Sequence, residues 1–165
     1  MEQRIETREP RVALTYRLVG DYSAINYDEA WNAMEQCCKD NQIGCCCNDV
    51  EYLSTYLDDP TTTPAAERRC DVCIAALTDR IADTLRGMTL GNGVRLSTLP
   101  AGRWMVFTHH GPYDTLGTAY AEIYGTIMPT LDLDPDRPAP LEKYVTDPYT
   151  TAPADLVTEI WIAIK

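Results

Sequence analysis

Two stretches of this chain repeat one another, and the repeat limits the possible folds more than any other feature. Residues 56–77 and 144–165 align without a gap at an offset of 88, and eight of the 22 positions are identical. The identical residues include turn-forming proline, aspartate and threonine, so both copies carry the same turn chemistry. Asp71 falls opposite Glu159, which places an acid at the same point of each copy. Two similar halves that share one core are therefore predicted.

The segments ahead of these stretches correspond as well. Residues 12–20 and 103–111 are both apolar-rich runs that end in glycine, and each leads into a segment with the apolar spacing of a helix. Each copy therefore reads as strand, helix and then further strands. We predict an α+β fold: a duplicated β-α-β-β repeat with pseudo-twofold symmetry, in which antiparallel sheets carry helices on one side and a central ligand cleft lies between the repeats.

Two short alternating segments are predicted to extend these copies. Residues 94–99 are expected to add an initial strand to the second copy, and residues 4–8 to do the same for the first. A short helix is expected near residues 81–87, between the copies. The length fits a single domain, 1–165. Its predicted parts are repeat one at about 4–77, a connection at about 78–93 and repeat two at about 94–165.

The charge of the chain restricts its partners. The 25 acidic residues against 14 basic ones give a formal charge of −11, which repels phosphate backbones, so direct binding of nucleic acid is not expected. The same charge attracts cations, organic ones included. No apolar stretch approaches the roughly 20 residues needed to cross a bilayer, and residues 1–4 lead into charged sequence without the apolar core of a secretion signal. A cytoplasmic protein that does not bind membranes is expected.

The last strand combines a carboxylate with an indole. Because side chains alternate along a strand, Glu159 and Trp161 share one face of residues 158–164, and three isoleucines share the other. If the first face lines the cleft, Glu159 attracts a cation and Trp161 offers it a π-surface, an interaction of about 2 kcal/mol or more when desolvated. The alternative is that Glu159 is an ordinary exposed strand residue. Asp71, its counterpart in the repeat, is a supporting candidate.

The aromatic residues are unusually polar. Ten tyrosines and three tryptophans stand against one phenylalanine, and tyrosine and tryptophan carry a polar group that needs a partner. Trp31 and Tyr120 lie on apolar helix faces, which favours a place in the core over the cleft for both. The complete set of predicted ligand-binding residues is Glu159, Trp161, Tyr113, Trp104, Phe107, Tyr16, Tyr144, Asp71, Trp31 and Tyr120.

The cysteines and histidines do not form a recognisable site. Cys70 and Cys73 are three residues apart in a predicted strand, so their side chains point to opposite faces and cannot chelate together. The cysteines between residues 37 and 47 match no tetrahedral zinc spacing closely. His109 and His110 are adjacent in a strand and also point oppositely. No metal and no cofactor is predicted, and the cysteines are interpreted as small buried residues.

Several of these segments together resemble a known family. Residues 102–113, then Ala119-Tyr120, residues 69–73 and the ending 158–162 are similar to the GyrI-like small-molecule-binding domain, which is also the effector-binding domain of AraC-type and MerR-type transcription activators. The resemblance implies a duplicated β-α-β-β fold whose cleft takes lipophilic, often cationic, aromatic compounds. It further implies a buried glutamate on the last strand, Glu159 here, as the counter-charge.

The resemblance leaves three functions open. The first is a standalone sensor or sequestering module for a lipophilic organic cation or a drug-like aromatic, with a DNA-binding protein as partner if it acts on transcription. The second is a hydrolase of strained electrophilic toxins, with Glu159 as general base and a tyrosine as proton donor. The third is a protein inhibitor of a topoisomerase that uses the acidic surface. The first function, a binding module, is favoured over an enzyme.

Overall fold

The computed structural model describes residues 1–43, 49–134 and 137–165 and shows an α+β fold with antiparallel strands. The chain divides into two compact units, called here the middle unit, Glu9–Ala101, and the terminal unit, Met1–Arg8 with Gly102–Lys165. In chain order the described elements are β1 (Glu2–Arg8), β2 (Arg11–Val19), α1 (Tyr27–Asp40), β3 (Val50–Tyr56), β4 (Arg69–Ala76), α2 (Asp79–Arg86), β5 (Val94–Leu99), β6 (Gly102–His110), α3 (Leu116–Glu122), β7 (Leu141–Tyr144) and β8 (Val157–Ile164).

The middle unit pairs its strands in the order β3-β4-β2-β5. Helix α1 buries Ala30, Met34, Cys37 and Cys38. These residues form one apolar stripe because residues three and four apart share one helix face. These side chains belong to one apolar cluster with Leu14, Val72 and other strand residues, together with residues of α2. The side chain of Thr78 caps α2 by accepting a hydrogen bond from the backbone N–H of Ile81, so the predicted short helix is confirmed.

The terminal unit pairs its strands in the order β1-β6-β8-β7. After α3, the chain continues as a π-helix over Ile123–Ile127, so the predicted helical segment of the second copy is present and spans residues 116–127. The three isoleucines of β8 pack in one cluster with Leu116, Ala119 and Ile123 from the helical segment. The predicted alternation of β8 is therefore confirmed, and its isoleucine face is the face that the helix covers.

The two short strands pair differently from the prediction. Strand β5 pairs with β2 of the first copy, although it was predicted to belong to the second. Strand β1 pairs with β6 of the second copy, although it was predicted to belong to the first. The connections 9–10 and 100–101 join β1 to β2 and β5 to β6, and they explain why neither pair of strands forms a hairpin. Both are two-residue links that contain proline, and a two-residue hairpin needs the positive φ of Gly or Asn.

The two units have matching internal arrangements. In each unit the helix lies between the first and second strands of the copy, and the short strand pairs with the first of them. The runs that become β2 and β6 end at Gly20 and Gly111, whose φ values of +145° and +132° are rarely adopted by other residues. These matches support the duplication, which stays a prediction. None of the helices in the described ranges has the length and apolar character to cross a membrane.

Candidate functional site

The carboxylate of Glu159 is buried on the face of β8 that lies away from α3. The residue is 9% exposed, so it is not an ordinary exposed strand residue. Oε1 accepts a hydrogen bond of 2.8 Å from Nη2 of Arg4, and Oε2 accepts one of 3.1 Å from the indole Nε1 of Trp161. The predicted carboxylate–indole pair therefore exists, and a guanidinium of the chain itself already balances its charge.

The indole ring of Trp161 makes cation–π contacts with two arginines of β1. The Cζ atom of Arg8 lies 3.9 Å from the centre of the indole ring, and that of Arg4 lies 5.8 Å from it. Trp104 packs edge-on against Trp161 with ring centroids 6.4 Å apart. This face of the terminal unit thus combines two indole rings with two arginines of the chain itself. The role of these residues in ligand binding stays a prediction.

The indole N–H of Trp104 is a buried donor that has no hydrogen-bond acceptor among the described residues. An unmet buried donor of this kind costs about 1–3 kcal/mol, because it loses its water without gaining a partner. Trp104 is completely buried beside Trp161. An acceptor atom that reached the buried Nε1 of Trp104 would relieve this cost.

A second buried carboxylate, Glu142 on β7, lies in a group of tyrosines. Glu142 is 4% exposed, and its oxygens accept hydrogen bonds of 2.8 Å from the hydroxyl of Tyr120 and 3.2 Å from that of Tyr144. The ring of Tyr113 lies edge-on to that of Tyr144 at 5.7 Å, and Tyr124 stacks on Tyr120 at 6.1 Å. We call Glu142 and these four tyrosines the tyrosine cluster.

Two phenols of the tyrosine cluster have raised pKa values. Burial, followed by the neighbouring Glu142 carboxylate, raises the pKa of Tyr120 well above its usual value, and the same two causes raise the pKa of Tyr113. Both phenols therefore stay neutral at physiological pH and present aromatic faces next to a carboxylate. A carboxylate among neutral aromatic rings is suited to an organic cation, since charge and π-surface attract it together.

Three tyrosines of this cluster were predicted from the sequence, and Glu142 was not. The predicted acids occur in both copies of the repeat, whereas Glu142 aligns with Ser54, which is not an acid. One signal was present in the sequence: Glu142 and Tyr144 are two residues apart in a strand and so share a face. Glu142 is buried because Tyr120 of α3 lies against it, a contact that the spacing of residues along β7 does not predict.

The other candidate residues lie elsewhere. Phe107 is buried on the helix-covered face of the terminal unit with Ile160 and Ile162, so it does not share a face with Trp104. Tyr16 and Trp31 pack against the helix-side core of the middle unit, and Trp31 contacts Tyr52 edge-on at 5.8 Å. These three aromatic residues serve the core in the described structure.

Asp71 is buried in the middle unit and is held by two arginines. Its Oδ1 accepts a hydrogen bond of 2.8 Å from Nε of Arg17, and its Oδ2 accepts bonds of 3.0 Å from Nη2 of Arg17 and 2.7 Å from Nη2 of Arg95. Asp71 is therefore already surrounded by positive charge. This positive charge makes Asp71 poorly suited to an incoming cation.

The cysteines behave as predicted where the structure describes them. Cys70 and Cys73 pack in different apolar clusters, which confirms that they point to opposite faces of β4. Within residues 1–43, 49–134 and 137–165, no group of three or more potential metal ligands is found. Cys45, Cys46 and Cys47 lie outside the described residues, so the predicted role of that group stays a prediction.

We expect Cys73 to react very slowly with alkylating agents in the folded protein. Burial raises the pKa of its thiol from 9.0 to about 11, so at pH 8 the reactive thiolate is about 100-fold rarer than for an ordinary thiol. Because the unfolded thiol loses its proton first, this residue favours the folded state less as the pH rises from about 9 to 11. Iodoacetamide labelling followed by peptide mass spectrometry measures the rate. Rapid labelling of native protein at pH 8 would contradict the prediction.

Comparison with known proteins identifies the family. The model of the GyrI-like small molecule binding domain matches residues 1–165. The chain belongs to this family. One relative of this GyrI-like chain is a DNA gyrase inhibitor from Yersinia enterocolitica, which is 25% identical over 147 residues, 89% of this chain and 88% of the relative.

Solved structures share the fold of this GyrI-like domain at low sequence identity. The C-terminal domain of EcmrR has a TM-score of 0.68 and 15% identity, covering 99% of this chain and 97% of that domain. SAV2435 bound to tetraphenylphosphonium has a TM-score of 0.61 and 13% identity over 100% of this chain and 94% of that one. The chain spans 56% of the EcmrR chain in a complex with DNA, at a TM-score of 0.71 and 16% identity.

Proposed function

We propose that this GyrI-like domain binds lipophilic organic cations and that the tyrosine cluster receives the positive charge. The observation that carries the proposal is the buried Glu142 carboxylate, held by the hydroxyls of Tyr120 and Tyr144 and surrounded by aromatic rings. A cation that enters such a group gains charge neutralisation and cation–π attraction in a place of low dielectric constant. Aromatic groups on the same guest gain further free energy from apolar burial.

Glu159 is the second candidate for the counter-charge. Arg4 and Arg8 already place positive charge against Glu159 and Trp161, so a guest cation must displace these arginines or share the aromatic surface with them. Displacement costs the interactions that the arginines make with Glu159 and Trp161. Glu142 is favoured because the aromatic rings of the tyrosine cluster lie next to its carboxylate. The ligand cleft predicted between the repeats remains a prediction.

The relatives support a small-molecule function of this kind. The family is defined by small-molecule binding, and SAV2435 has been solved with tetraphenylphosphonium, a lipophilic cation. We propose that this chain acts as a sensor or a sequestering module, and that any effect on transcription runs through a DNA-binding protein partner. The similarity to EcmrR, which is known in complex with DNA, favours that class of partner.

Two other functions have specific support. A fold neighbour is a hydrolase from Listeria innocua, with a TM-score of 0.61. In this chain, both oxygens of Glu159 accept hydrogen bonds from Arg4 and Trp161, which does not favour Glu159 as a general base for water. The relative from Yersinia enterocolitica keeps topoisomerase inhibition as a further candidate, and a supercoiling assay with DNA gyrase tests it directly.

Calorimetric titration tests the cation proposal. We expect tetraphenylphosphonium to bind saturably and at least about 10-fold more tightly than triphenylphosphine oxide, a neutral aromatic compound of similar chemistry, because only the former carries the charge that a carboxylate attracts. Raised salt should weaken binding only modestly, since a buried ion pair is poorly screened. Equal affinities for the two compounds would contradict a counter-charge in the site.

A further inference from the structure

The arginines around Asp71 form a cluster with an excess of positive charge. Arg17 and Arg95 both donate to this one carboxylate, and Oδ2 accepts a hydrogen bond from each of them. Two guanidinium groups against one carboxylate leave a local charge of +1 in a chain whose formal charge is −11. The two like charges also repel one another, and a second anion would relieve that repulsion.

The two copies differ at this point. Arg95 lies opposite Thr15, and Arg4 lies opposite Val106. Thr15 and Val106 hold matching positions in the aligned runs 12–20 and 103–111, so Arg95 and Arg4 are equivalent. Each of them binds the acid of its own unit.

The extra charge comes from one position. Arg17 lies opposite Asp71 in β4, whereas Thr108 lies opposite Glu159 in β8. A threonine thus occupies in the terminal unit the place that Arg17 takes in the middle unit. In the terminal unit Glu159 and Glu6 share Arg4, whereas in the middle unit two arginines share Asp71.

The unused donors of the two arginines are accessible. The side chains of Arg17 and Arg95 are 39% and 43% exposed, while that of Asp71 is 8% exposed. A guanidinium carries five N–H groups, and the hydrogen bonds to Asp71 use only two from Arg17 and one from Arg95. No other side-chain hydrogen bond of these two arginines is present among the described residues. Asp71 therefore orients both groups and leaves several charged donors open to solvent.

We propose that Arg17 and Arg95 form a binding site for a small oxyanion, carboxylate or phosphate, on the exposed side of Asp71. Oxyanions match the forked donors of guanidinium groups, and charge-assisted hydrogen bonds of this kind are about twice as strong as neutral ones. Asp71 acts as the positioning residue. Its carboxylate orients both guanidinium groups but balances only one of their two positive charges. The site uses none of the residues of the tyrosine cluster and does not depend on the cation proposal.

Titration of the full chain by nuclear magnetic resonance tests the site. The arginine Nε–H signals are followed at mildly acidic pH while inorganic phosphate, and in a second arm acetate, replaces chloride at constant ionic strength. We expect saturable shifts of the Arg17 and Arg95 signals with one or both anions, and no saturable shift of Arg80, which pairs with Asp49 elsewhere. Shifts that stay linear with both anions, as for a general salt effect, would overturn the proposal.

Substitutions make the test specific. R17T copies the residue of the terminal unit, and we expect anion affinity to fall about 10-fold or more, because one charged donor group is lost. R80Q removes one positive charge away from the site and should bind as the wild type does. R95Q is a second variant with the same expected loss, for use if R17T does not fold. Wild-type affinity in folded R17T or R95Q would overturn the assignment.

Discussion

Replacement of Glu142 by glutamine is expected to weaken the binding of tetraphenylphosphonium by about 30-fold or more. The substitution keeps the shape of the side chain and removes the charge that attracts the cation. Removing one partner of a buried, hydrogen-bonded charge pair costs about 2–5 kcal/mol, and about 2 kcal/mol corresponds to a roughly 30-fold change in affinity. Calorimetric titration of wild type and E142Q at the same ionic strength measures the difference.

Two matched variants control for effects of charge alone. E35Q removes a negative charge from the exposed Glu35, which pairs with Lys39 on α1, and should leave the affinity unchanged. E159Q removes the charge that Arg4 already balances, and should weaken binding less than E142Q does. Loss of binding in E159Q, with full binding in E142Q, would move the counter-charge to Glu159. Binding that is unchanged in both variants would contradict a carboxylate counter-charge at either position.

Trp161→Ala is expected to lower the free energy of unfolding by about 3–5 kcal/mol. The indole is 1% exposed, packs against Trp104 and donates a hydrogen bond to Glu159, so its removal leaves a cavity and an unmet acceptor. A loss of that size is a large part of the roughly 5–15 kcal/mol that stabilises a typical domain. Urea unfolding followed by circular dichroism measures the loss as a lower midpoint.

Trp31→Ala is the comparison for this substitution. Trp31 is only partly buried on α1, so its truncation removes less apolar contact and should cost clearly less. A loss below about 1 kcal/mol in W161A would show that the face around Glu159 and Trp161 contributes little to folding. An unchanged slope of the unfolding transition would confirm that only the stability has changed.

Features that depend on one strand or helix were predicted from the sequence, whereas the pairing of strands distant in the chain was not. The isoleucine face of β8, the helical segments, and the opposite directions of Cys70 and Cys73 were all predicted correctly, because they depend on periodicity within one element. The pairing of β5 with β2 was not predicted. Sequential neighbours often pair, but the proline links at 9–10 and 100–101 do not favour the hairpin turns that such pairing needs.

The candidate site shows the same division. That Glu159 and Trp161 share a face follows from their spacing, and their burial agrees with the prediction. That Arg4 neutralises Glu159 could not be predicted from spacing, because 155 residues separate the two. Glu142 was missed because a single acid between Leu141 and Lys143 carries no periodic signal of burial. Its burial depends on Tyr120, which lies 22 residues earlier.

The amino-acid sequence by itself determined the repeat, the types of its elements and the face that each side chain takes. Those features depend on backbone geometry and on neighbours within one strand or helix turn. Tertiary structure alone decided which charges meet: Arg4 with Glu159, and Arg17 and Arg95 with Asp71. Strand register sets these distances, and one residue of slip would turn each side chain to the other face of its sheet.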